Sequence, residues 1–294
     1  MRAFTFEQPA GLDEAIGLLA RVPDARVLAG GTDLIIGLRD GTVATSRVVD
    51  LKRVRELDAR IDDARPGLVF GGRAAMTEIA GDPRVRERYT ALAEGAAVVG
   101  SVQIRNRATL AGNICNASPA ADTSPALLVF GAVVVVSGPE GQRRIPIDEL
   151  FVRSRVTTLQ PAEIVTAIEL PAPPVAWGST HVRRTRRRGH DLASVTIACA
   201  VLETGETRVA YGSVGPRPLL RVDATGVLAD PDTNDDDRLE VLDAMFADAA
   251  PSPGSMRASP DYRQAMLRVL ALRAIATARA RLTDGPAAAT ARGH

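Results

Sequence analysis

Residues 26–34 read Arg-Val-Leu-Ala-Gly-Gly-Thr-Asp-Leu. A short β-like run, Arg26 to Ala29, meets two consecutive glycines, Gly30 and Gly31. Thr32 and Asp33 come next, and a helical pattern runs from Leu34 to Leu38. Consecutive glycines let the backbone take positive φ and carry no side chain to hold another group away. Their N–H groups can converge on an anion, assisted by the start of the following helix. Thr32 adds a hydroxyl donor, and Asp33 suits the N-cap of that helix. Alone, the stretch also fits a plain strand–turn–helix connection.

Working outward, Leu12 to Ala20 places Leu12, Ala15, Ile16, Leu19 and Ala20 at helical spacing. Arg47 to Leu51 reads as a strand, and Gly67 to Phe70 as another before Gly71-Gly72. Thr77 suits the cap of a short helix, and a helical pattern runs from Arg84 to about Val99. Residues 100–122, GSVQIRNRATLAGNICNASPAAD, are rich in turn formers and predict a long loop, of the kind that is either functional or disordered. Within it, Thr109-Leu110-Ala111-Gly112-Asn113 offers a second uncharged cradle. Gly112 permits close approach, while Thr109, Asn113 and Asn116 supply neutral hydrogen bonds. Asp122 can bind ribose hydroxyls or hold the loop. The competing reading is an Ω-loop closed by its own hydrogen bonds.

Ser124-Pro125 reads as N-cap and first residue of a helix. Ala132 to Val136 and Arg143 to Ile147, joined through Gly138-Pro139-Glu140-Gly141, form a hairpin, and Glu163 to Leu170 is strand-like. Pro171-Ala172-Pro173-Pro174 marks a break. Beyond it, Leu192–Leu202 and Thr207–Val214 predict a second antiparallel sheet, and Asp235–Ala250 and Pro260–Leu282 predict helices. Tyr262, Met266, Leu267, Leu270 and Ile275 form an apolar side of the last. Asp235-Asp236-Asp237 after Asn234 reads as a capped, solvated helix start. The domains expected are 1–174 and 175–283, with a disordered tail at 284–294.

The chain has 294 residues, which suits about two domains. Lys plus Arg is 36 against 35 Asp plus Glu, a net charge of +1, so no global field draws it to nucleic acid or an anionic membrane. The basic run Arg183 to Arg188, followed by His190, fits either anion contact or an edge strand whose charges face solvent. Aromatic residues are 3% of the chain, too few to interleave with that run and stack bases. Lys52 is the sole lysine and precludes a GxxxxGK phosphate loop. Cys115 and Cys199 stand far apart, with no CxxC or Cys/His metal spacing, and read as buried structural thiols. His181, His190 and His294 make no HExxH pattern, and there is no GxSxG. No catalytic or metal-binding residue is therefore expected in this chain. The longest apolar run, Ala126 to Val136, has 11 residues, short of the ~20 that span a bilayer. The N-terminus carries no apolar secretory segment, so a soluble cytoplasmic protein is expected.

Two such loops about 80 residues apart say more together than either does alone. With them, the sequence resembles the FAD-binding medium subunit of the molybdenum hydroxylases, the xanthine dehydrogenase and carbon monoxide dehydrogenase group. The matching residues are Ala29 to Asp33, Gln103-Ile104-Arg105-Asn106, Thr109 to Asn113, Ser118 to Asp122, Glu163-Ile164-Val165 and Asp261-Tyr262-Arg263. The resemblance implies an α+β fold: a two-subdomain FAD-binding domain, split near residue 55, then a domain of three-stranded antiparallel sheet plus helices. It places FAD between the two N-terminal subdomains. By position it assigns Leu28, Ala29, Gly30, Gly31, Thr32, Asp33, Leu34, Thr109, Ala111, Gly112 and Asn113 to the pyrophosphate and nearby groups. Asn116 and Asp122 add hydrogen bonds, Val99 lies beside the flavin, Ile164 packs near it, and Arg183 stands where the family has a lysine reaching the ring. It further implies electron relay in a dimer of heterotrimers. A large subunit there carries the molybdenum cofactor, and a small subunit carries two 2Fe-2S clusters. Two departures stand out: Ala111 replaces a glycine common in the family, and Arg183 presents a planar fork where lysine presents a compact ammonium. The alternatives are a self-contained FAD-dependent oxidoreductase on a related fold and a non-catalytic binding module.

Overall fold

The computed structural model describes residues 2–64, 67–187, 189 and 191–284. The expected tail from 285 onward, including His294, lies outside these residues, as do Arg188 and His190.

The first subdomain alternates strand and helix: β1 (Thr5–Glu7), α1 (Leu12–Arg21), β2 (Arg26–Leu28), α2 (Leu34–Asp40) and β3 (Arg47–Asp50). The strands form a parallel sheet in the order β1-β3-β2. Parallel neighbours need a crossover, and the helices supply it. Helix α1 buries Ala15, Ile16 and Leu19 against Val49, Leu51, Val54 and Leu57.

The second subdomain opens with β4 (Ile61–Ala64) and β5 (Gly67–Gly71). Six short helices follow: α3 (Met76–Gly81), α4 (Pro83–Arg88), α5 (Thr90–Ala97), α6 (Val102–Arg105), α7 (Leu110–Asn116) and α8 (Ser124–Val129). It closes with β6 (Val133–Gly138), β7 (Gly141–Pro146), α9 (Ile147–Leu150), β8 (Phe151–Arg153), β9 (Val156–Thr157) and β10 (Ile164–Pro171). Five strands make an antiparallel sheet in the order β4-β5-β10-β6-β7. Residues of this sheet and its helices share one core that includes Phe70, Met76, Tyr89, Leu110, Ile114, Leu127 and Val136.

The C-terminal domain contains β11 (Trp177–Arg184), β12 (Val195–Leu202), β13 (Thr207–Gly212), β14 (Leu219–Asp223), α10 (Asp235–Met245) and α11 (Pro260–Asp284). Its antiparallel sheet has four strands in sequence order, one more than expected. Leu219–Asp223 lacks the clean alternation that marks a strand, and it earns its place by pairing with β13. Strand β12 is buried on both faces, and its alternation divides its residues between two cores, with alanines at 198 and 200 on one face. Val195, Ile197, Cys199 and Val201 pack with α10 and α11, whereas Ala198, Ala200 and Leu202 join the core of the preceding domain. Small side chains on that second face let α5 and α8 lie close to the sheet. Trp177 seals the junction: its ring meets Tyr89 and Phe130 at 6.0 and 5.0 Å, and its Nε1 donates to the Arg88 carbonyl at 2.7 Å.

Several expectations change. Residues 100–122 are not one long loop, because Ser101 and Thr109 act as N-caps and start α6 and α7. Thr77 lies inside α3, and Ala75 takes the N-cap position. Thr123, not Ser124, is the N-cap of α8. Tyr262 is 39% exposed, so the buried side of α11 is Arg263, Leu267, Leu270, Ala271, Ala274, Ile275, Ala278 and Arg281. Cys199 is buried as expected, and burial pushes its thiol pKa up. Cys115 is exposed instead. Asn234 does cap α10, accepting from the Asp237 N–H. Among the described residues, no helix is long and apolar enough to cross a membrane.

Candidate cofactor-binding site

The first loop, 29–33, leaves β2 and enters α2. Gly31 has φ +81°, a conformation open to glycine but strained for residues with a Cβ. A Cβ there would lie 2.7 Å from Leu28 Cδ1, so the site resists substitution through the loop's own geometry. Gly30 matters for a different reason. A Cβ on it would drive into the carbonyl of Arg107 and the Cα of Ala108, immediately before the second loop. The missing side chain at 30 therefore lets the two loops touch.

The Gly31 and Asp33 carbonyls accept from Ile35 and Gly37, at 3.0 and 2.9 Å. Among the described residues, the N–H groups of Gly30, Gly31, Thr32 and Asp33 have no protein acceptor. Asp33 sits at the N-cap of α2 but makes no side-chain cap. Its φ and ψ of −99° and −45° are already helical, unlike the extended backbone that aims a capping side chain inward. The loop thus presents a row of free backbone donors and one exposed carboxylate.

The second loop is built on the end of a small bridge. Met76 N donates to the Ala108 carbonyl at 2.9 Å, and Leu110 N to the Ala74 carbonyl at 3.1 Å. Thr109 Oγ1 accepts from Gly112 N at 3.0 Å and caps α7. Among the described residues, its hydroxyl proton and the Ala111 N–H have no protein acceptor. Asn113 Oδ1 accepts from Thr123 Oγ1 at 2.8 Å, which leaves the Asn113 amide Nδ2 to donate. The Ala111 side chain is 6% exposed and belongs to the core, so the methyl that departs from the family pattern points away from the loop surface. Gly112 is exposed, and Asn116 is half-buried.

Asp122 is buried, and its carboxylate is taken up by the C-terminal sheet. Oδ2 accepts from Arg183 Nη1 at 2.6 Å, and Oδ1 from Thr196 Oγ1 at 3.2 Å. Of its two sequence readings, holding the loop is the one these contacts support. Arg183 also donates to the Val98 carbonyl at 3.2 Å and to the Asp191 carbonyl at 2.5 Å. It therefore faces the first domain beside Val99, while Arg184, next along the strand, turns away and donates to Tyr262 Oη at 2.9 Å. Arg186 is exposed and paired with Asp191 at 3.5 Å. The edge-strand reading thus fits Arg184, the last residue of β11, Arg186 faces solvent from the bend that follows, and the inward reading fits Arg183.

The structure brings Gly30 against the Arg107–Ala108 backbone that leads into Thr109–Asn113, while Gly31 packs on Leu28 and Ile35 within its own loop. Leu28 is buried with Leu38 and Val48 beneath the first loop, and Leu34 packs there. Ile164 stands apart: its side chain is 2% exposed and enclosed by Ala15, Ile16, Leu19 and Val54. Sequence reading missed the Arg107–Ala108 backbone that meets Gly30, since nothing marks a carbonyl as a partner. It also missed the buried His181–Thr196 pair behind Asp122. Two cavities of about 640 and 410 Å³ lie elsewhere, in the C-terminal domain.

Residues 2–173 match the family model of the FAD binding domain in molybdopterin dehydrogenase, and residues 180–278 match that of the CO dehydrogenase flavoprotein C-terminal domain. The xanthine dehydrogenase FAD-binding subunit of Escherichia coli O157:H7 is 30% identical over 281 residues, covering 93% of this chain and 95% of that protein. The carbon monoxide dehydrogenase medium chain of Hydrogenophaga pseudoflava is 28% identical over 283 residues, covering 95% and 98%. A solved structure of carbon monoxide dehydrogenase from the same organism superposes with a TM-score of 0.88 at 27% identity, covering 95% of this chain and 98% of that one. With both domain models matched in order and the fold shared along nearly the whole length, the chain belongs to the family of FAD-binding medium subunits of the molybdenum hydroxylases.

Proposed function

We propose that this chain holds FAD across the seam between its two loops and relays electrons from an iron–sulfur partner to an external acceptor. The complex is completed by a large subunit carrying the molybdenum cofactor. The observation that carries this reading is the contact at Gly30, which sets the first loop, with its free backbone donors, against the Arg107–Ala108 backbone that leads into the second. Convergent backbone N–H groups can hold a diphosphate without a cationic side chain, and this donor set is neutral, with the exposed Asp33 the one carboxylate beside it.

Gly30, Gly31, Thr32, Thr109, Ala111 and Asn113 would hold the diphosphate, and Val99 and Arg183 would face the ring. When bound, FAD supplies the electron-carrying chemistry, and the chain supplies binding and electrostatics. Arg183 offers a fixed positive charge beside Val98 and Val99, which would favour a ring that gains negative charge on reduction. Trp177 and the small face of β12 hold the sheet that carries Arg183 against the first domain. The partners are read from relatives named medium chains, which imply a larger and a smaller companion, and a dimer of heterotrimers is the assembly proposed.

The test is purification of the full chain alone and with its companions. The expected result is a yellow protein with stoichiometric FAD, little turnover by itself, and a complex of about twice the heterotrimer mass. A colourless chain that takes up no added FAD overturns the reading. Arg183→Ala is expected to leave FAD bound and lower the flavin potential. An unchanged potential and reoxidation rate would remove Arg183 from that role.

A further inference from the structure

Behind Arg183 lies a chain of hydrogen bonds whose donors can be assigned by counting protons. Thr196 Oγ1 is within bonding distance of Asp122 Oδ1, at 3.2 Å, and of His181 Nε2, at 2.9 Å. A carboxylate only accepts, so the single hydroxyl proton of Thr196 goes to Asp122. The hydroxyl oxygen must then accept from His181, which fixes Nε2 as the protonated ring nitrogen. The order is His181 Nε2–H to Thr196 Oγ1, Thr196 O–H to Asp122 Oδ1, and Arg183 Nη1–H to Asp122 Oδ2 at 2.6 Å.

His181 is well placed to act as the fixed end. Its side chain is 2% exposed, and Nε2 is 3.4 Å from Asp122 Oδ1. Its backbone N–H donates to Glu94 Oε2 at 2.8 Å. Glu94 is itself held by Arg281 Nη2 at 2.6 Å and Thr180 Oγ1 at 3.1 Å. These contacts run from α11 and β11 to α5, so the backbone that carries the His181 ring is set by two domains at once. A hydroxyl without a donor on its oxygen is free to rotate its proton elsewhere. Donation from His181 removes that freedom and keeps Asp122 bonded on both oxygens. Asp122 in turn determines where one arm of the Arg183 guanidinium sits.

We propose that His181 is a positioning residue, acting through Thr196 and Asp122 to fix the guanidinium of Arg183 at the flavin. This inference rests on the FAD reading given above. It predicts that cutting the chain at either link lets the Asp122 carboxylate shift, and the arm of Arg183 bonded to it follows although Val98 and Asp191 still hold the guanidinium, which weakens its field on the ring and lowers the flavin midpoint potential.

The experiment compares the midpoint potential of the purified holo complex with those of four variants, alongside the FAD content of each. His181→Leu removes the donor, and Thr196→Val removes the hydroxyl at nearly constant volume, which serves where the first variant fails to fold. Each is expected to make reduced flavin about tenfold less favoured, a fall of about 30 mV for a two-electron couple, with FAD retained. The double variant falls no further than either single, because both cut one chain. His181→Gln, whose amide can donate to the same oxygen, recovers at least half of the shift. A potential that is unchanged or raised in either single variant, or shifts that add in the double, overturns the positioning role while leaving FAD binding intact. A wild-type chain that takes up no FAD overturns both.

Discussion

The two loops do similar work by opposite means. Loop 29–33 is made by its own backbone: a positive φ at Gly31, a missing side chain at Gly30, and carbonyls that bond only to the next turn of chain. Segment 109–122, α7 with its cap and the turns after it, is held from outside. Thr123 bonds Asn113, the Ser213 N–H donates to the Pro119 carbonyl at 2.7 Å, and Arg183 and Thr196 hold Asp122. Changes in the first loop should therefore be steep and local. Changes in the second should be graded and should register as weakened attachment of the C-terminal domain.

The sharpest break is Gly30→Val. The atoms it would strike are backbone, which cannot swing aside as a flexible side chain can. Overpacking of this kind costs ~3 kcal/mol or more. If that falls on the joined loops, FAD affinity drops on the order of a hundredfold. Fluorescence titration with FAD measures it, and wild-type affinity would show that the loops need not touch. Gly31→Val is a poorer probe, since its φ of +81° predicts damage whether or not a diphosphate binds there.

Next comes Asp122→Ala, which leaves the mostly buried Arg183 without its carboxylate. Removing one partner of a buried pair costs ~3–5 kcal/mol, and the residual exposure of Arg183 brings the expectation to roughly 2 kcal/mol. The readout is denaturant unfolding, together with faster proteolysis at the 172–176 linker between β10 and β11. A stable variant with an uncut linker would mean that the C-terminal domain does not depend on this tie.

The contrast between the loops also accounts for what could be read from the sequence. Gly30-Gly31 was legible because a glycine pair after a strand has few uses. Its neighbour was not, since a carbonyl at Arg107 carries no signature. Thr109 and Asn113 were legible as donors, and α1, β12 and α11 followed from their periodicity. Helices α6 and α7 were hidden because Ser101 and Thr109 read as turn formers, although capping a helix is the same chemistry. The fate of Asp122 was hidden more deeply, since its partners lie 61 and 74 residues away. Strand β14 depended on β13 to become a strand at all. Local geometry is written in local sequence, whereas attachment across domains is distributed over residues that look ordinary.

A milder probe is Thr109→Val, which deletes the cap on α7 without changing volume much. Loss of an N-cap costs ~1 kcal/mol, about a fivefold loss of FAD affinity if the outward hydroxyl proton contributes nothing further. A loss well beyond fivefold would show that the hydroxyl itself meets the cofactor.

The smallest effect is expected where the family pattern itself departs, at Ala111→Gly. The methyl is 6% exposed and packed with the core, so removing it should cost ~1 kcal/mol of stability through helix propensity and lost burial. FAD affinity should stay within about twofold, because the N–H that could serve the cofactor belongs to the backbone and keeps its place at the start of α7. Set beside Gly30→Val, this contrasts what a side chain meets at the two positions. At residue 30 a Cβ would be forced into the opposing backbone and would part the loops. At residue 111 it points into the core and leaves the loop surface open. Equal affinities for the two substituted chains would mean that donor placement, and not loop contact, governs binding. A large gap between them would assign the binding energy to the seam.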